Sequence, residues 1–437
     1  MSNEQACFTP IEEVLSSNCV GKEVSVRGWV YRARTSGAML FLVIRDSTDI
    51  IQATVKKDRV SEQAWKNAEA CTRIESAVTV KGVVAKDDRA TGGFELQATD
   101  FTAIHAADVF PIAKDNSEEW LLDIRHLSIR SRELTAVMKV KATVFAACRE
   151  FFEKKGYWET TPPIIASGAC EGGSTTFNFD YFGKKAILSQ SAQLYLEALI
   201  FSLEKVYAIT PSFRAEKSRT LRHLAEYWHV EGEEAHMNFE QLIAFEEEMI
   251  SFICQKTAKE RPKELELLGR NPEEMLAIAP PFPRMAYAKA IEILKQKGMP
   301  VEFGDDLGAD EEKILTAEYK KPILLTHFPA KIKAFYMKRD PTDENLVLGA
   351  DILAPEGYGE IIGSSQREED NELLISRLRA DGSDPAAFAW YLDLRKYGSV
   401  PHSGFGMGIE RLVRWICKLD HIRDAIPFPR VINRVYP

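Results

Sequence analysis

Between about residues 20 and 105 the apolar side chains fall in short, mostly alternating runs, whereas Leu134 to Lys155 reads at helical spacing and stops at Gly156. A period of two marks a half-buried strand and a period near 3.6 an amphipathic helix. The chain therefore changes architecture along its length. The runs Val24–Val30, Met39–Ile44, Ile50–Val55, Ser76–Val84 and Gly93–Ala98 predict five strands, with turn chemistry at Ser36-Gly37 and Asp46-Ser47-Thr48-Asp49. Five short strands with one helix near 61–71 suit a small closed barrel of the OB type. Another small β-barrel or sandwich would show the same pattern.

Residues 106–135, with Pro111, Asp115-Asn116-Ser117 and Asp123-Ile124-Arg125-His126, read as a connector. Beyond it, helices over 240–258 and 309–318 alternate with strand runs over 204–216, 224–235, 322–327 and 346–354. This predicts a mixed α/β domain built mainly from antiparallel hairpins. The expected division is 1–105, 106–135 and 136–437; a chain of 437 residues is long for a single core. The net charge of −9 argues against general coating of nucleic acid but leaves room for a local basic face. Seven scattered cysteines without a CxxC pair read as reduced thiols of a cytoplasmic protein. No secretory signal and no apolar run of membrane-spanning length is found.

Two blocks carry the chemistry. Phe213-Arg214-Ala215-Glu216 and Arg222-His223-Leu224-Ala225-Glu226-Tyr227 place arginines at both ends of a polar hairpin loop. Much later, Gly404-Phe405-Gly406-Met407-Gly408-Ile409-Glu410-Arg411 is a glycine-rich strand running into a helix that bears a further arginine. The guanidinium fork matches phosphate oxygens, and glycines let backbone approach a nucleotide closely. Three arginines around one ATP suit adenylyl transfer. Asp351 and Glu360, flanking Ile352–Gly359, are oxygen ligands of the kind Mg²⁺ prefers.

With these blocks, and with Gly156–Ile165 ahead of them, the whole chain resembles the class II aminoacyl-tRNA synthetases, most closely their asparaginyl/aspartyl subgroup. The resemblance implies an antiparallel catalytic sheet, a homodimer formed through Gly156–Ile165, and ATP with Mg²⁺. It implies that Arg214 holds the α-phosphate and the substrate carboxylate, that Arg222 and His223 reach the γ-phosphate, and that Glu216 lies near the adenine. Tyr227 and Arg411 would sandwich that base, with Leu224, Gly408, Ile409 and Glu410 completing the nucleotide site. Asp351 and Glu360 would hold the metal. Aspartyl relatives commonly have a serine three residues after the glutamate, where this chain has Gly363.

The amino-acid segment by resemblance is Leu188–Glu197, in which aspartyl enzymes place a lysine at the position of Leu196. Glu171, Ser191, Gln193, Arg214, Glu231 and Arg367 are the expected contacts, with Glu171 and Gln193 on the α-amino group. Glu231 can accept from a carboxamide NH₂ and Arg367 can donate to its carbonyl. The expected substrate is therefore L-asparagine. Aspartate would set a carboxylate against Glu231. In the barrel, Arg34, Phe41 and Gln52 are expected to hold the anticodon of tRNA(Asn), although a phenylalanine in an alternating strand can equally belong to a core. The alternatives are an aspartyl enzyme, a tRNA-independent asparagine synthetase, and a non-catalytic nucleic-acid-binding paralogue.

Overall fold

The computed structural model describes residues 7–113, 115–168, 176–217 and 220–437. It divides into two compact units, 1–117 and 118–437, and the cut falls within the stretch read as a connector.

The first unit is a closed five-stranded barrel of β1 (Glu23–Ser36), β2 (Met39–Arg45), β3 (Ile50–Lys56), β4 (Ala77–Lys86) and β5 (Phe94–His105), in the order β1-β2-β3-β5-β4. The OB-type expectation is met. Alternation does the work: Leu40, Leu42 and Ile44 of β2 point inward to meet Ile51, Ala53 and Val55 of β3, with Val78 and Val80 of β4. Helix α1 (Glu62–Ala70), capped by the Ser61 hydroxyl, adds Ala64, Trp65 and Ala68 to the same core.

In the second unit, α2 (Arg132–Lys154) buries Val137, Val140, Val144, Ala147 and Phe151, a stripe at helical spacing. The chain then runs through β6 (Trp158–Glu159), α3 (Gln193–Leu203), β7 (Lys205–Phe213), β8 (Glu226–Ala235) and α4 (Phe239–Glu260). It continues through β9 (Arg284–Ala286), α5 (Ala309–Thr316), β10 (Ile323–Thr326), β11 (Gly349–Ala354), β12 (Gly359–Gln366), α6 (Ala389–Lys396), β13 (His402–Gly408) and α7 (Ile409–Ile416). Eight strands form one sheet in the order β9-β10-β11-β12-β13-β8-β7-β6, antiparallel except for the pairs at its two edges.

Period-two alternation divides this sheet into two faces. Val230, Ile352, Ile362 and Met407 join one core with α2 and α4. Their neighbours Glu231, Asp351, Gly363 and Gly406 face the other way. Register aligns these four in one row: Glu231 opposite Gly406, Gly406 opposite Gly363, Gly363 opposite Asp351. Two carboxylates thus stand at the ends of a floor made of glycines. They are three strands apart, about 14 Å at ~4.8 Å per strand.

A bulge brings in a third carboxylate. Ile352 pairs with Ile362 but Leu353 pairs with Glu360, so Ile361 is an extra residue on β12. Regular alternation would put Glu360 on the core face with Ile362. The bulge turns it onto the face of Asp351.

Candidate active site

The row floors a cavity of about 650 Å³ whose lining includes Ser191, Gln193, Arg214, Arg222, His223, Glu231, Lys333, Asp351, Glu360, Arg367 and Arg411. A smaller cleft shares Arg214, Arg222, His223 and Arg411 with it and adds Leu224, Tyr227, Gly408, Glu410 and Ile422. The two separated blocks of sequence therefore meet at one place. The backbone of Arg214 donates to the Ala225 carbonyl at 3.0 Å, closing the β7–β8 hairpin at its base. Its guanidinium stands 5.7 Å from the centre of the Tyr227 ring. Arg411, in the first turn of α7, donates to Glu360 Oε2 at 2.8 Å. Burial would raise the Glu360 carboxyl, but Arg411, Arg222, Lys333 and Arg214 outweigh it and hold it down at about 2. Burial, followed by the charges of Arg411, Arg222 and Arg214, pushes His223 down to about 4, which leaves its imidazole neutral at pH 7.

Several residues that position this site were not singled out from the sequence. Glu312, on α5, accepts from Arg222 and from the Glu360 backbone N–H (2.7 Å), linking the arginine of one loop to the carboxylate of another. Lys333 donates to Asp351 Oδ2 at 2.7 Å. A Cβ at Gly363 would meet the remaining oxygens of both carboxylates, Glu360 Oε1 at 3.5 Å and Asp351 Oδ1 at 3.6 Å. The acids converge above that glycine. Glu216 lies 4.0 Å from His223 and lines the larger cavity with it.

Glu410 and Ile409 play anchoring parts. Glu410 is 1% exposed, pairs with Lys141 at 2.5 Å and accepts from the Trp228 N–H at 2.9 Å, tying α7 to α2 and β8. Ile409 is wholly buried in the core beneath the sheet. The glycines of β13 also have a more specific reason than general closeness to a nucleotide. A Cβ at Gly404 would sit on the Glu233 carboxyl, and one at Gly406 would lie 2.6 Å from His229 Nε2. Gly404→Ala is expected to break the buried Glu233–Arg367 pair and cost about 3–5 kcal/mol. A lowered melting temperature would show it, and an unchanged one would refute it.

At the opposite end, Glu231 accepts from the Ser191 hydroxyl and from the Ala192 N–H (2.8 Å), both at the entry to α3. Arg367 lines the cavity yet is 2% exposed. Its Nε and Nη2 both donate to Glu233 Oε1, Nε also reaches Oε2 at 3.3 Å, and Nη1 donates to Ser365 Oγ at 2.8 Å. Glu233 repeats Glu231 two residues later on one strand, so the period of two that is legible in the sequence puts both acids on one face. Leu196 is fully buried in a small apolar cluster with Ala192, Ile200, Val206 and Ala208, and is not among the cavity-lining residues. Glu171 lies outside the described residues.

Residues 117–432 match the family described as tRNA synthetases class II (D, K and N), and residues 24–104 match an OB-fold nucleic acid binding domain. The chain belongs to the class II tRNA synthetases. Among the relatives of this class II synthetase is the asparagine–tRNA ligase of Thermococcus kodakarensis, 53% identical over 418 residues that cover 95% of this chain and 96% of the relative. The asparagine–tRNA ligase of Thermoplasma acidophilum is 49% identical over 427 residues, covering 98% and 99%. A crystal structure of asparaginyl-tRNA synthetase from Pyrococcus horikoshii complexed with asparaginyl-adenylate superposes with a TM-score of 0.95 at 51% identity, covering 99% of this chain and all of that one.

In the barrel of this class II synthetase, Arg34 and Phe41 face each other across β1 and β2, the guanidinium 4.7 Å from the ring centre. Phe41 is only partly buried, since Leu40 and Leu42 on either side of it take the inward positions. The core alternative for Phe41 is thereby removed. Gln52, on β3, is also partly buried and pairs with Val43, two residues along from Phe41.

Proposed function

We propose that this class II synthetase joins L-asparagine to tRNA(Asn) in two steps, forming asparaginyl-adenylate from ATP and then passing the asparaginyl group to the tRNA. The observation that carries the choice of amino acid is the charge balance at the Glu231 end of the cavity. Glu231 offers acceptor capacity beyond the Ser191 and Ala192 donors, because a carboxylate has about four lone-pair sites. Arg367 offers N–H donors, but its charge is already matched by Glu233. A neutral carboxamide finds both partners there, whereas a second carboxylate meets the like charge of Glu231 while the Arg367 charge is already matched by Glu233.

In the first step the substrate's own carboxylate attacks the α-phosphorus and pyrophosphate leaves, so no side-chain base is required. Arg214 bridges that carboxylate and the α-phosphate. Arg222, held by Glu312, and neutral His223 face the γ-phosphate. Tyr227 and Arg411 enclose the adenine, with Leu224 and Gly408 lining the same cleft. These groups act by position and charge, which is the dominant resource when the nucleophile comes ready ionised. In the second step a terminal ribose hydroxyl of the tRNA attacks the adenylate carbonyl and AMP leaves.

Asp351 and Glu360 fit a Mg²⁺ ion. Lys333 and Arg411 each take one oxygen of these acids, and the other two oxygens converge over Gly363. Burial and the nearby Glu360 charge push Asp351 up to about 6 against the pull of Lys333, a repulsion that a divalent cation relieves. When bound, the ion would neutralise charge on the phosphates.

A homodimer is supported by Trp158 and Ile165, which expose 60% and 47% of their surface in the stretch expected to form the interface. A cytoplasmic setting is supported by six free thiols among the described residues. No described helix is long and apolar enough to cross a membrane.

Purified protein should charge purified tRNA(Asn) with labelled asparagine and not with aspartate. ATP–pyrophosphate exchange stimulated by aspartate alone would overturn the assignment. Phe41→Ala should raise the KM for tRNA about 5- to 150-fold, the ~1–3 kcal/mol of one stacked base, while exchange without tRNA stays as it was. An unchanged tRNA KM would remove Phe41 from the anticodon surface.

A further inference from the structure

Behind the cavity wall lies a charged cluster that touches neither nucleotide nor metal site. Gln193 opens α3 and lines the cavity, and its Nε2 donates to Glu197 Oε1, one turn further on, at 3.0 Å. Glu197 has no exposed surface. It also accepts from Tyr391 Oη (2.8 Å to Oε2), Arg395 Nη2 (2.7 Å) and His402 Nε2 (3.0 Å). Arg395 is itself braced by donating through Nε to the Glu368 carbonyl at 3.1 Å. Four donors from α3, α6 and β13 thus converge on one buried carboxylate.

The placement has a chemical consequence for Gln193. The two ends of a carboxamide have nearly the same shape, so packing alone does not decide which end faces a cavity. A carboxylate decides it, because it only accepts: the NH₂ must face Glu197 and the carbonyl must face the other way. Burial raises the Glu197 carboxyl, but Arg395 and His402 outweigh it and keep it below the usual carboxylate range.

We infer that Glu197 is a positioning residue for amino-acid binding, locking the Gln193 amide so that its carbonyl oxygen faces the cavity and accepts from the α-ammonium group of the substrate. The inference rests on the reading that Gln193 meets the α-amino group. With the amide reversed, an NH₂ would confront an ammonium and the site would lose an acceptor where it needs one.

The test pairs the residue with the substrate group. In ATP–pyrophosphate exchange, Glu197→Gln should raise the KM for asparagine about 10- to 100-fold, the scale of a hydrogen bond to a charged group, with little change in kcat or in the KM for ATP. Succinamate, which is asparagine with hydrogen in place of the amino group, should inhibit wild type and variant with the same Ki within about twofold. Because Glu197→Gln leaves Arg395 buried without its anion, Tyr391→Phe serves as the milder variant. It removes one donor, keeps every charge, and should give the same split at about two- to fivefold. A rise of the asparagine KM and the succinamate Ki together, or no change in either, would overturn the inference. A wild-type protein with no asparagine-dependent exchange would instead overturn the substrate assignment, and the two failures are distinguishable.

Discussion

Arg214→Ala is expected to lower the kcat of asparagine-dependent ATP–pyrophosphate exchange by about 10²- to 10³-fold, the cost of removing one preorganised donor from a site where charge develops. The side chain lines both the larger cavity and the smaller cleft, and in the proposed reaction the carboxylate nucleophile and the α-phosphate have to meet between them. Both are anions, and bringing them to reacting distance needs a cation between them. Arg214→Lys keeps the charge but loses the planar fork and should recover only part of the rate. Folding should be unaffected, because Arg214 follows the end of β7, is only partly buried, and the hairpin is closed there by its backbone. Exchange at the wild-type rate in a folded Arg214→Ala protein would remove Arg214 from the reaction centre.

Glu231→Gln should have the second large effect, on specificity. The Ala192 N–H can only donate, so it compels the new side chain to present its carbonyl there and its NH₂ towards Ser191, whose hydroxyl can turn to accept. The NH₂ of bound asparagine then loses its acceptor, and kcat/KM for asparagine should fall by about 10²- to 10³-fold, roughly 3–4 kcal/mol. Aspartate meanwhile no longer meets a buried like charge. Its rejection, about 10⁴-fold for a site built on polar pairing, should shrink to tenfold or less. Measuring exchange with both amino acids decides it. If Glu231→Gln lowers both in proportion, Glu231 is a structural support and not the discriminating group.

Much of this site could be read in the chain, and the reason is local. Arg214 and Arg222 lie on one hairpin, and Gly404–Arg411 is one strand entering one helix. Neighbouring residues alone set those patterns. The same holds for the barrel, where alternation in Met39–Arg45 already puts Phe41 on the face opposite Leu40 and Leu42, and the closed barrel then decides that the leucines face inward. Long-range partners left no such trace. Glu312 reaches Arg222 across 90 residues, Lys333 reaches Asp351 from a separate loop, and Arg395 and His402 reach Glu197 across about two hundred.

The chain by itself determined which segments become strands and helices, where the arginines cluster, and which family of chemistry they serve, because periodicity and short motifs are written in adjacent residues. Tertiary structure decided which carboxylates share a face. Strand register set Glu231, Gly406, Gly363 and Asp351 in one row, and a single extra residue at Ile361 turned Glu360 from the core towards the cavity. Register is a property of paired strands, and a shift of one residue reverses every side chain. Only the assembled sheet carries that information.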